Sequence, residues 1–160
     1  MNPQRRPLSL PMGEIAVAGN GDVLRTLLGS CLGVALYERR LRVGALGHVV
    51  LPDSLGRTEP PGKFADTAVP AMIRSLQDLA GQSQLTLRAK IAGGANMFAV
   101  AGGSNTVGAQ NVTAIERILQ QLRVPIAARH CGGEQGRRMT LDLTTGLVTI
   151  DIVGAETITL

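Results

Sequence analysis

The sequence predicts an α+β fold: a β-sandwich of antiparallel or mixed sheets with helices on the outside, in a layered α/β/β/α arrangement. Three observations predict it. Short β-type runs separated by Gly, Asn, Asp and Arg turn clusters fill the first and last thirds of the chain. Two stretches carry the apolar spacing of amphipathic helices, and each strand-rich half holds one of them. At 160 residues, 44% of them hydrophobic, the chain makes one domain over 1–160. A chain of this size buries roughly 70% of its unfolded surface and needs no disulfide or metal staple. Residues 1–12 are expected to form a flexible N-terminal arm.

In chain order, residues 14–18 (EIAVA), 23–28 (VLRTLL), 32–37 (LGVALY) and 42–51 (RVGALGHVVL) read as strands, with spacings that allow hairpins. Residues 52–63 (PDSLGRTEPPGK) have no periodicity and are rich in Pro and Gly, which predicts a mobile loop able to fold over a site. From Asp66 to Gln82, Val69, Met72, Ile73, Leu76 and Leu79 fall on one helical face, and Gly81 ends the helix. A strand is predicted over 85–92, followed by a Gly-rich turn GGANMF and a flexible stretch AGGSNT. A second helix over about 107–122 presents Val112, Ile115, Ile118, Leu119 and Leu122 on one side. The last third returns to strands in PIAARH, RRMTLDL and LVTIDI, the final two joined at Thr144, Thr145 and Gly146.

The formal charge is +4, with 16 basic and 12 acidic residues, and the aromatic residues are Tyr37, Phe64 and Phe98 alone. A nucleic-acid reader needs clustered Lys/Arg, and a single-strand binder needs aromatic platforms for base stacking. Arg39, Arg40 and Arg42 instead mark a turn, and Arg137 and Arg138 the entry to a strand, so they read as solvated charges at strand ends. A basic surface suits an acidic protein partner. No apolar run reaches the roughly 18 residues of a membrane helix. The basic start lacks the apolar stretch of a secretion signal, so the protein is expected to be cytoplasmic. Cys31 and Cys131 are then expected to stay reduced.

Two His and two Cys leave the chemistry few homes. Cys31, in LGSCLGV, follows Gly29 and Ser30 at a sharp strand-to-strand turn whose N–H groups are free of the ladder. A thiol there suits a nucleophile, and its own amide could hold an oxyanion, although a free Cys is more often a small buried hydrophobe. His48 lies on the following strand. A tight turn near Arg39 to Leu41 places residue 48 opposite residue 32 or so, within reach of Cys31. An imidazole beside a thiol provides the base and acid of acyl transfer, and a core histidine bonded to a carbonyl fits the spacing equally well. His130 and Cys131 are adjacent strand residues that point to opposite faces. A Cys2His2 zinc site from all four lacks the short chelating loop such sites use, so no metal is expected. GGANMF and CGGEQG lack the features of a phosphate loop or dinucleotide fingerprint, so no cofactor is expected either. Asp142 and Asp151 lie near turns, where a paired-carboxylate site competes with ordinary strand-edge solvation.

The strings LRTLLGSCLGVALYE, GALGHVVLPDS, GKFADTAVPAM, KIAGGANMF, VGAQNV and CGGEQGRRMTLDLTTGLV, six blocks in order along almost the whole chain, resemble the CheD family of bacterial chemotaxis proteins. The resemblance implies a chemoreceptor glutamine deamidase, which hydrolyses chosen glutamine side chains on receptor helices to glutamates. It also implies a fold like the catalytic domain of cytotoxic necrotizing factor toxins, a β-sandwich flanked by helices. The family's catalytic Cys falls on Cys31 and its His on His48. Its Thr commonly lies six residues before the Cys, where this chain has Arg25. Thr26, five before, takes the role of orienting the imidazole, with Ser30 as the alternative. The aromatic position of the family's K-Y-A-D-T-A block is Phe64 here. The implied partners are chemoreceptor cytoplasmic helices and a CheC-type phosphatase. Methylester hydrolysis or transglutamination would use the same covalent logic, and a chemotaxis adaptor with little catalysis is the competing class.

Overall fold

The computed structural model describes residues 5–57, 59–98 and 106–160. Ten strands, β1 (Leu8–Ser9), β2 (Ile15–Ala18), β3 (Val23–Leu28), β4 (Leu32–Glu38), β5 (Val43–Val49), β6 (Leu87–Gly93), β7 (Ile126–Cys131), β8 (Arg137–Asp142), β9 (Val148–Asp151) and β10 (Ile158–Thr159), and two helices, α1 (Ala65–Ala80) and α2 (Val107–Gln121), follow the predicted α+β order. They form two five-stranded sheets, ordered β1-β3-β8-β9-β10 and β2-β5-β4-β6-β7. Both sheets are mixed, since β1 runs parallel to β3 and β7 parallel to β6. The two-residue end strands β1 and β10 are too short to leave a sequence pattern.

Period-two alternation decides which side chains meet between the sheets. Leu24 and Leu28 on β3, Met139 and Leu141 on β8, and Leu46 on β5 are buried together there. The opposite face of the second sheet sends Leu32, Val34, Leu36 and Ile91 against Val69, Met72 and Leu76 of α1 and Ile115 and Leu119 of α2. The layering is therefore helix, sheet, sheet, where a helix layer on each side was expected. Connectivity explains the difference. α1 links β5 to β6 and α2 links β6 to β7, all within one sheet and stepping in the same direction. Crossovers of one hand taken in one direction stack on one face. The outer face of the other sheet carries Arg25, Arg138 and Asp151, half-buried polar residues that need no helix over them.

Both helices carry their own stop and start signals. α1 ends where Gly81 takes φ 68°, and its N–H closes the last turn on Asp78. At the start of α2, Thr106 Oγ1 accepts from the Ala109 N–H at 3.1 Å.

Two segments differ from expectation in ways that matter for the site. Of the arm expected over 1–12, Leu8–Ser9 pair with Leu24 and Arg25 of β3, and the Leu10 N–H donates to the Arg25 carbonyl at 2.7 Å. Of the loop expected over 52–63, the described residues on either side of 58 are tied down at Ser54 and Lys63. Ser54 bonds Asp66 through its N–H and hydroxyl, and the Lys63 carbonyl accepts from both Val50 and Leu51. Phe64 is buried beside it, with the Arg57 guanidinium 4.7 Å from its ring centre. The stretch AGGSNT lies, up to residue 105, outside the described residues.

Candidate active site

His48 sits near the end of β5 with its backbone fixed by the segment before β2: its N–H donates to the Glu14 carbonyl and its carbonyl accepts from Gly13. It shares the inter-sheet face with Leu46, because residues two apart on a strand point the same way. Thr26 arrives from β3 on the other sheet, on the same inward face as Leu24 and Leu28. Thr26 Oγ1 and His48 Nδ1 lie 2.6 Å apart, and the same hydroxyl donates to the Leu10 carbonyl at 2.7 Å. These two distances fix the tautomer. A carbonyl only accepts, so the single hydroxyl proton of Thr26 goes to Leu10, and the Thr26 oxygen accepts from His48 Nδ1–H. The remaining ring nitrogen, Nε2, carries its lone pair and is buried with no hydrogen-bond partner among the described residues.

Cys31 closes the turn between β3 and β4. Gly33 of β4 lies directly opposite His48 of β5, one residue from the expected register of 32. The single step is decisive, because side chains alternate faces. With Gly33 opposite, Cys31, two residues before it, falls on the face that His48 occupies, diagonal to it at the about 7–8 Å spacing of such neighbours. Cys31 belongs to the inter-sheet cluster and is 8% exposed.

The turn itself is anchored through its carbonyls. The Gly29 carbonyl accepts from Ala95 N–H at 3.0 Å and the Cys31 carbonyl from Gly94 N–H at 2.9 Å. The Ser30 carbonyl accepts from Asn111 Nδ2 at 3.2 Å. A planar trans peptide points its N–H away from its C=O. The amides of Ser30 and Cys31 therefore face the other way, and neither makes a hydrogen bond with a described residue. Gly93 closes the clamp at φ 106°, where a Cβ would run into the Cys31 carbonyl. Gly93→Ala is expected to lower thermal stability by about 1–3 kcal/mol through backbone strain and to slow any reaction at Cys31 by displacing that carbonyl.

Burial sets the electrostatics. It pushes the Cys31 thiol above the ordinary thiol value and the His48 imidazole below the ordinary imidazole value. Burial therefore favours the neutral form of both groups, a thiol on Cys31 and an uncharged imidazole on His48.

The family described as CheD chemotactic sensory transduction matches residues 50–152. A probable chemoreceptor glutamine deamidase CheD of Symbiobacterium thermophilum is 43% identical over 157 residues, covering 94% of each chain. The chain belongs to the CheD family. A probable chemoreceptor glutamine deamidase CheD of Methanococcus vannielii is 42% identical over 144 residues, 89% of this chain and 93% of its own. The chemoreceptor glutamine deamidase CheD of Thermotoga maritima is 40% identical over 144 residues, covering 89% and 90%.

In this CheD chain the structure brings Thr26 and His48 into contact, and the hydrogen bonds of Ser30 run through its carbonyl to Asn111 and not to the imidazole. His130 and Cys131 stand apart from that cluster. Arg137 donates to His130 Nδ1 at 2.8 Å and to the carbonyls of His130, Gly132 and Gln135, which folds the loop after β7 around its guanidinium. Cys131, on the opposite face, packs toward the helices. Asp142 holds the following turn through the Thr144 N–H, and Asp151 bonds Arg138 and Thr157. No group of three or more His, Cys, Asp or Glu side chains among the described residues could hold a metal ion. No helix there is long and apolar enough to cross a membrane.

Leu10 and Asn111 are the site-forming residues of this CheD chain that the sequence reading missed. Leu10 acts through its carbonyl, which no side-chain pattern reveals. Asn111 lies within VGAQNV, and a buried polar residue on the apolar side of a helix is the signal that could have found it. The N-terminal segment, and not the 52–63 loop, walls His48: a cavity of about 470 Å³ is lined by Ser9, Leu10, Met12, Thr26, Leu27 and His48. Next to it, a cavity of about 740 Å³ runs past Leu27, Gly29, Met97, Gln135, Arg137 and Val153.

Proposed function

We propose that this chain is a protein-glutamine deamidase acting on chemoreceptor cytoplasmic helices, with Cys31 as nucleophile, His48 as base and acid, and Thr26 as the group that orients the imidazole. The observation that carries the assignment is the Leu10–Thr26–His48 relay. It leaves Nε2 as a proton acceptor on the face that Cys31 shares, next to turn amides that bond no described residue. The family relatives named chemoreceptor glutamine deamidases point to the same substrate class.

The steps follow from that geometry. Cys31 Sγ attacks the side-chain carbonyl carbon of a glutamine while its proton passes to His48 Nε2. The oxyanion faces the amides of Ser30 and Cys31. Collapse breaks the C–N bond, Nε2–H protonates the departing ammonia, and a thioester remains. Water then attacks the thioester with His48 taking its proton, releasing glutamate and the thiol. No metal or redox group is required to balance any step. The half-open cavity beside Gly29, with Leu27 and Val153 exposed on its rim, gives the apolar side of a receptor helix a surface on which to lie.

The test is mass spectrometry of a folded chemoreceptor cytoplasmic fragment from the same organism incubated with the protein. A gain of about 1 Da per converted glutamine, with one ammonia released for each, is expected from amide hydrolysis. A loss of about 14 Da on a methylated fragment would make it a methylester hydrolase instead. No mass change together with fragment binding would overturn the assignment in favour of an adaptor.

A further inference from the structure

We propose that Asn111 of α2 is a positioning residue that aims the Cys31 N–H at the oxyanion, an assignment that rests on the deamidase reading above. Asn111 is fully buried. Its Nδ2 donates to the Ser30 carbonyl at 3.2 Å and to the Val50 carbonyl at 3.1 Å. Both partners only accept, so the amide is forced to present its nitrogen to them. The consequence is that Oδ1 is buried with no partner among the described residues. An apolar side chain of similar volume would fill that space without an orphaned acceptor, so the role of the amide lies in its two donated bonds.

Those bonds act on the reacting groups through the backbone. The carbonyls of Gly29 and Cys31 are held by main-chain amides of Gly94 and Ala95, which follow directly from β6. The Ser30 carbonyl alone depends on a side chain. Because the Ser30–Cys31 peptide is planar and trans, fixing its C=O on Asn111 fixes the Cys31 N–H in the opposite direction. Without Asn111 that peptide is free to rotate between its two anchored neighbours, and the oxyanion loses a donor of set direction. The second bond, to Val50 two residues beyond His48, ties the nucleophile turn to the strand that carries the base.

The experiment compares two reactions of the same thiol. Deamidation builds an oxyanion, whereas alkylation of Cys31 by iodoacetamide displaces iodide at a saturated carbon and builds none. In Asn111→Ala, kcat for deamidation of the receptor fragment is expected to fall about 10- to 100-fold, as for loss of an aimed oxyanion donor. KM, the Cys31 alkylation rate and the pH profile of alkylation should each stay within about twofold. A parallel fall in both reactions would overturn the proposal by showing general damage to the thiol–imidazole pair, and so would an unchanged kcat. Should Asn111→Ala fail to fold, the smaller polar replacement Asn111→Ser is held to the same split. Failure of the deamidase reading itself would look different: the wild-type protein would alkylate normally and leave the fragment's mass unchanged.

Discussion

Cys31→Ala is expected to reduce deamidation of a receptor fragment to background, a loss of about 10⁴-fold or more, because removing the nucleophile of a covalent mechanism leaves only binding and electrostatic assistance. Fragment binding should change by less than about 1 kcal/mol, since one small, mostly buried side chain is rarely a binding hot spot. The fold should tolerate the change. Cys31 is a small member of the inter-sheet cluster, and losing one sulfur atom there costs about 1 kcal/mol, read as a shift in Tm. The wild-type thioester supplies an independent check, because hydroxylamine added during turnover should divert it to a hydroxamate on the receptor glutamine. The pH dependence follows from burial. Protonated His48 cannot accept the thiol proton, and burial holds its pKa below the ordinary value of about 6.5. The acid limb of kcat/KM is therefore expected below pH 6.5. In His48→Ala the thiol must ionise unaided, and burial holds it above its ordinary value. Alkylation of that variant should reach half its maximum above the usual thiol range. Deamidation persisting in Cys31→Ala would remove the nucleophile from the mechanism altogether.

What could be read in advance, and what could not, divides along a physical line. Strands and helices whose side chains alternate in burial announce themselves: β3 through β5 and the two amphipathic helices lie within a few residues of their predicted places, since pattern and packing there say the same thing. The hairpin between β4 and β5 was legible to within one residue, yet side-chain direction turns on that residue. An expected pairing of His48 with Leu32 would have put Cys31 on the wrong face, whereas the observed Gly33 puts it on the right one. Layering escaped because it depends on which strands a crossover joins. The β5–α1–β6 and β6–α2–β7 connections fix both helices to one face, and no local pattern records that. Contacts made by the backbone were the least visible. Leu10 in the supposed arm contributes only a carbonyl, sixteen residues from Thr26 in sequence, and nothing in the string LSLPM signals an acceptor. Thr26 itself emerged from family resemblance alone, because a threonine inside an apolar strand reads as an ordinary strand residue.

Thr26→Val tests the relay that this hidden contact completes. Valine matches threonine in shape but offers no oxygen, so His48 Nδ1–H loses its acceptor and the Leu10 carbonyl loses its donor. Nothing then favours the Nδ1–H tautomer. Where the proton moves to Nε2, the imidazole presents a hydrogen to the thiol and can no longer take one. Triads deprived of their orienting group show how costly that is, and a fall in kcat of about 100- to 1000-fold is expected here, with KM little changed because Thr26 holds the imidazole and not the substrate. Stability should fall by about 1–3 kcal/mol, the penalty for leaving buried polar groups unpaired, which Tm reports separately from rate. Thr26→Ser decides whether the hydroxyl or the packing matters. It restores an oxygen able to donate to Leu10 and accept from Nδ1, so most of the rate should return although a methyl group is missing from the core. Were Thr26→Ser as slow as Thr26→Val, the role would belong to the shape of the side chain. Deleting residues 1–12 removes the Leu10 carbonyl while sparing Thr26 and should slow the reaction in the same direction, because the threonine proton, freed from Leu10, can turn toward Nδ1 and stabilise the wrong tautomer.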